Sequence, residues 1–152
     1  MIRAMTAART ALAVFLFVAC GSALAAKPAF KEKPWKGWGS GTTLVTADGF
    51  EIVFSGNLTL LGKYVADGEH FWHGNSFGGA GTMIGANRDE LDILYQATRV
   101  DASLPFTFRG TIKVMGGTGR WVGATGSAAM VGTDDGTGVF TFELDGMIIS
   151  AD

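Results

Sequence analysis

The chain has 152 residues, of which 23 are glycine and 3 are proline; 47% are hydrophobic, 17% are charged and the net charge is −2. That balance, with a mean hydropathy of +0.26, excludes collagen, a proline-rich tract and an intrinsically disordered chain. The length fits one domain with a core of its own.

Residues 1–25 read as a secretory signal peptide. Arg3 and Arg9 precede the apolar run Ala11–Ala19, and small residues follow at Gly21, Ser22, Ala23, Ala25 and Ala26. This is the order of a charged, an apolar and a cleavage segment. The run is shorter than the roughly 20 residues of a membrane-spanning helix. Cleavage after Ala23-Leu24-Ala25 would leave Ala26 first. The competing reading is a lipoprotein box at Phe17-Val18-Ala19-Cys20, with Cys20 lipidated and the protein anchored in a bacterial envelope. Simple cleavage places it in the periplasm or outside the cell, with no membrane insertion afterwards.

Cleavage changes the chemistry available. Two arginines leave and no acid does, so the net charge moves from −2 to about −4. Cys20, the single cysteine, leaves too, which excludes a disulfide, a thiol nucleophile and a cysteine-ligated metal in the mature chain. A mildly acidic chain is also a poor partner for nucleic acid.

Residues 26–37 are rich in Lys and carry Pro28 and Pro34, which predicts a flexible leader before a single domain at 38–152. From Trp38 the chain reads as strands. Phe50, Ile52 and Phe54 share one face; so do Phe106, Phe108, Ile112 and Val114, and so do Phe140, Phe142, Leu144 and Ile148. Such period-two alternation predicts half-buried antiparallel strands. Further strands are expected near 39–46, 57–65, 69–74, 80–86, 90–100 and 126–133. Turn signals stand at Ala47-Asp48-Gly49, Gly56-Asn57, Ala66-Asp67-Gly68, Ala86-Asn87-Arg88-Asp89 and Asp134-Asp135-Gly136. A short helical turn is expected near Gly119–Ala124. Eight or nine strands on short links predict an all-β, up-and-down barrel, because closure removes exposed edges. A membrane barrel would show longer uninterrupted strands and aromatic girdles. Here Gly62, Gly85 and Gly110 interrupt the runs.

Chemical motifs are sparse. No glycine is followed by Lys-Ser/Thr, which excludes a phosphate loop. The dinucleotide pattern fails at Val122 and at Ile84, where its third glycine would stand. His70 and His73, the two histidines, would point to opposite faces of a strand, so no metal site is expected. Asp134-Asp135-Gly136 lacks the further carboxylates of a calcium loop. No Gly-x-Ser-x-Gly elbow occurs, and the histidines, flanked by Phe71 and Trp72, read as packing residues. No cofactor is expected. The remaining lead is a polar pair on an apolar face: Tyr95 and Arg99 share a side with Leu91, Ile93 and Ala97. If that side looks inward, Tyr95, Arg99, Phe106 and Phe108 are candidate ligand-binding residues. The other reading has Arg99 snorkelling to water from a strand end.

Residues 116–126, GGTGRWVGATG, form the densest glycine cluster. Gly116, Gly117, Gly119, Gly123 and Gly126 are expected to build a barrel corner, with Trp121 plugging one end. With the hairpin 126–148, this segment resembles the allene oxide cyclase-like and dirigent-like barrel superfamily, and above all its small secreted bacterial members. The resemblance implies eight antiparallel strands around an apolar interior and, from the plant relatives, a trimer. It does not carry over catalytic residues. The cyclases would ask for a buried Glu, Asn and Cys, and here Glu51 faces away from Phe50, Ile52 and Phe54. The dirigent acids find no match either.

The expectation is an exported barrel without catalytic activity, binding an apolar small molecule or serving as a structural or interaction module. The alternatives are a cyclase- or dirigent-type isomerase and a Cys20-anchored lipoprotein. An open cavity of roughly 300 Å³ or more would favour a ligand; a filled interior would favour the module.

Overall fold

The computed structural model describes residues 29–151; the signal segment, Cys20 and residues 26–28 lie outside the described residues. Eight strands form one closed antiparallel barrel in chain order. They are β1 (Phe30–Thr46), β2 (Gly49–Leu58), β3 (Gly62–His73), β4 (Ser76–Gly85), β5 (Glu90–Arg99), β6 (Phe106–Gly117), β7 (Thr125–Asp134) and β8 (Val139–Ala151). The chain is therefore all-β, and pairing of β1 with β8 closes the barrel. Closure leaves no continuous free edge, which suits strands this rich in Val, Ile and Phe.

Alternation assigns the faces. Along β5, Leu91, Ile93, Tyr95 and Ala97 are buried while Asp92, Leu94 and Gln96 face out. Phe106, Phe108, Ile112 and Val114 of β6 point inward, and Arg109 and Lys113 point out. The inward residues form one core cluster.

Three sequence expectations need correction. The stretch 26–37 is not a flexible leader where it is described. Phe30–Gly37 is the first part of β1, paired with Ala151–Leu144 of β8, and Trp35 is only 1% exposed. Pro34 is tolerated for a directional reason. Its carbonyl accepts from the Thr59 hydroxyl, and the Lys36 N–H donates to that hydroxyl's oxygen, Thr59 Oγ1. Alternate residues of a strand turn their polar groups to the same side, so the nitrogen of Pro34 also faces away from β8 and removes no ladder bond. Gly56-Asn57 and Ala66-Asp67-Gly68 are not turns but lie inside β2 and β3. The reversal falls instead at Thr59–Leu61, within the strand expected at 57–65.

The two ends of the barrel differ. At one end lie both ends of the described chain and the β2–β3, β4–β5 and β6–β7 links. It is stoppered by Trp35, Leu58, Met83, Leu91, Trp121 and Ile148, all fully or almost fully buried. Trp121 belongs to a single 3-10 turn, Gly119–Trp121. Arg120 braces this turn: its guanidinium lies 4.6 Å from the Trp121 ring centroid, 3.7 Å from the Asp89 carboxylate, and donates to the Leu60 carbonyl. The glycines of this segment have positive φ at Gly116, Gly117, Gly119, Gly123 and Gly126. The constraint is sharpest at Gly119, with φ of +54°, where the Asp89 carboxylate occupies the space of a Cβ. The opposite end, formed by the β1–β2, β3–β4, β5–β6 and β7–β8 links, is the mouth.

Candidate functional site at the barrel mouth

Beneath the mouth lies a cavity of about 40 Å³, lined by side chains that include Ile52, Phe54, Phe77, Tyr95, Phe108 and His70. It has room for little more than a water molecule. Above it, and sharing Thr43 with it, opens a basin of about 510 Å³ bordered by Phe50, Trp72, Arg99, Leu104, Phe106 and Asp134. A larger depression of about 640 Å³ lies on the outer wall over Phe71, Leu94 and Lys113. Those side chains point to solvent, whereas the mouth gathers buried polar groups.

Each predicted ligand-binding residue lies in this half of the barrel. Tyr95 and Phe108 line the cavity, and Arg99 and Phe106 line the basin. Arg99 is half-buried at the end of β5. Its guanidinium carbon sits 3.8 Å from the Phe106 ring centroid and 5.7 Å from that of Trp72. Such a cation on an aromatic face gains about 0.5–2 kcal/mol, depending on desolvation. Its buried Nε has no hydrogen-bond partner among the described residues. Arg99 thus stands half-buried at the strand end with its guanidinium over the Phe106 ring.

Tyr95 is held by backbone. The ladder between β3 and β4 runs from Tyr64↔Gly85 to Gly68↔Gly81 and resumes at Phe71↔Gly78, leaving Glu69 and His70 without partners on β4. The Tyr95 hydroxyl fills that gap, donating to the Glu69 carbonyl at 2.9 Å. Its path crosses Gly79, where any Cβ would collide with the same carbonyl and crowd the hydroxyl. Burial pushes the Tyr95 hydroxyl well above its ordinary pKa, so it stays protonated.

The residue that sequence reasoning set aside is His70. It is 8% exposed, and its Nδ1 lies 2.8 Å from the Tyr95 oxygen. Its ring stacks on Tyr95 and packs against Phe77, Trp72 and Phe50, with centroids 5.4–6.5 Å away. Burial lowers its pKa below the usual histidine range; Asp134 nearby opposes that only in part. Nε2 is buried without a partner among the described residues. Asp134, read from sequence as turn material, is itself 8% exposed and accepts from the Gly136 N–H at 2.7 Å. The signal for His70 was present in its parity with Tyr64, Ala66 and Trp72. A turn assigned at 66–68 broke the alternation and hid it. His73 is exposed, and no group of three metal-ligating side chains converges among the described residues.

No family model matches the chain, and no curated protein matches it. Among solved structures, the pterocarpan synthase dirigent protein GePTS1 is similar, with a TM-score of 0.58 and 14% identity over 83% of this chain and 94% of that one. At that identity the likeness is one of architecture: this chain has the dirigent-like fold, an eight-stranded antiparallel barrel.

Proposed function

We propose that the protein is an exported, non-catalytic barrel that holds a flat, apolar small molecule at its mouth. One observation carries this reading. The barrel is asymmetric: Trp35 and Trp121 stopper one end, while the other opens into a basin walled by Phe50, Trp72, Phe106 and Arg99. The basin has the volume of a small-molecule site, roughly 300–1,000 Å³, as do depressions of about 410–640 Å³ on the outer wall. Its aromatic and buried polar lining distinguishes it from them, whereas the cavity beneath it is too small. The ligand therefore sits in the basin, against the aromatic walls, and only its tip reaches the cavity. The dirigent-like fold is compatible with this role. Export rests on Arg3, Arg9 and the run Ala11–Ala19; mass spectrometry of the secreted form should find Ala26 first.

A second reading, a structural module, is favoured by the interior itself, which Phe54, Phe77, Phe108 and Phe142 fill down to about 40 Å³. Titration with 1-anilinonaphthalene-8-sulfonate separates the two. A ligand barrel should enhance the dye's fluorescence saturably, and Phe106→Ala should weaken the effect. No saturable binding of this dye or of uncharged naphthalenes would leave the module.

A further inference from the structure

The Tyr95 hydroxyl has one hydrogen, and two groups compete for it. The Glu69 carbonyl, 2.9 Å away, can only accept. It also lacks a ladder partner on β4, and leaving a carbonyl unpaired at this partly buried position is costly. The hydrogen therefore goes to Glu69. The 2.8 Å contact between the Tyr95 oxygen and His70 Nδ1 must then be donated by the histidine. In a neutral imidazole only one nitrogen carries hydrogen. With Nδ1–H committed to Tyr95, Nε2 is a bare lone pair.

That lone pair has no partner among the described residues. It lies on the ring edge away from the Nδ1 bond, in a side chain that lines the cavity and packs against Phe50 and Trp72 of the basin wall. Apart from Tyr95, the rings touching His70 belong to Phe50, Trp72 and Phe77, which offer no strong acceptor, and the nearby Asp134 carboxylate accepts from the Gly136 N–H and makes no hydrogen bond to Nε2. Resting on the mouth-binding reading above, we infer that His70 is the specificity-determining acceptor of the site, selecting neutral apolar ligands that carry a hydroxyl or N–H donor at their leading edge. Tyr95 and Glu69 act through it, as positioning residues that set its tautomer.

Two measurements on the purified protein test this. Nitrogen-15 spectra of histidine-labelled protein near neutral pH should show His70 protonated at Nδ1 and bare at Nε2; the opposite tautomer overturns the inference whatever binds. The second compares 2-naphthol with 2-methoxynaphthalene, which differ in the single donor. The naphthol should bind about tenfold more tightly. His70→Phe should bring the two to equal affinity, and if that variant fails to fold, Tyr95→Phe, which frees the tautomer, should narrow the preference instead. Equal affinity of the two probes for the unaltered protein overturns the selection by His70 and leaves mouth binding standing. Failure of both to bind overturns mouth binding, and this inference with it.

Discussion

The Tyr95 hydroxyl reaches from β5 across β4 to bond the backbone carbonyl of Glu69 on β3, at 2.9 Å. One side chain thus closes a break in the β3–β4 ladder and presents its oxygen to His70. The arrangement depends on Gly79, which is paired with Tyr95 in the β4–β5 ladder and leaves the ring's path open.

Tyr95→Phe should therefore destabilise the barrel. It removes the partner of the Glu69 carbonyl, in a partly buried bond, and of the buried His70 Nδ1–H. A loss of about 1–3 kcal/mol is expected from urea unfolding. Gly79→Ala should disturb the same bond sterically. A stability equal to that of the unaltered protein in both variants would show that the hydroxyl bridge contributes nothing.

The buried histidine predicts a pH dependence of known sign. Its folded pKa lies below the unfolded value near 6.5. The unfolded chain therefore binds the proton first as pH falls. Stability should be fully present above about pH 6.5 and decline below it, until the folded pKa is passed. Tyr95 on β5 and Asp134 on β7 face the imidazole, and Asp134 moderates the effect by favouring the cation. Melting temperatures of the unaltered protein and His70→Phe should diverge in slope as the pH falls below about 6.5. Parallel curves would contradict a buried neutral His70.

The stopper end makes a separate prediction. Trp121 is 2% exposed, so Trp121→Ala should cost about 3–5 kcal/mol. Gly119→Ala should also destabilise, because φ is +54° and the Asp89 carboxylate stands where the Cβ would go. Thermal unfolding checks both, and an unchanged midpoint for Trp121→Ala would refute the plug.

Removal of residues 1–36 should destabilise the barrel severely, whereas removal of 1–25 should not. The longer deletion takes seven residues of β1 that pair with β8, the buried Trp35 among them. Circular dichroism of the two truncated chains provides the comparison. A folded, equally stable 37–152 chain would restore the view of this stretch as a dispensable leader.

Much of the fold was legible in the chain, because alternation is a local property. Leu91, Ile93, Tyr95 and Ala97 declare an inward face within ten residues, and Asp134-Asp135-Gly136 declares a turn. The candidate site was legible in part. Tyr95, Arg99, Phe106 and Phe108 could be placed on apolar faces, and those faces do meet at the mouth. Trp35 was misread because lysines and prolines dominate its surroundings. Its burial depends on β8, more than a hundred residues away in the chain.

The sequence by itself determined an all-β chain with inward and outward faces and a glycine corner at 116–126, since pleat parity and backbone freedom belong to each residue. Only the tertiary structure decided that one end is stoppered and the other open, and that His70 is buried against Tyr95 with Nε2 unpartnered among the described residues. Those depend on strand stagger and on hydrogen bonds spanning three strands. A carbonyl on β3, a glycine on β4 and a hydroxyl on β5 come together only once the barrel has closed.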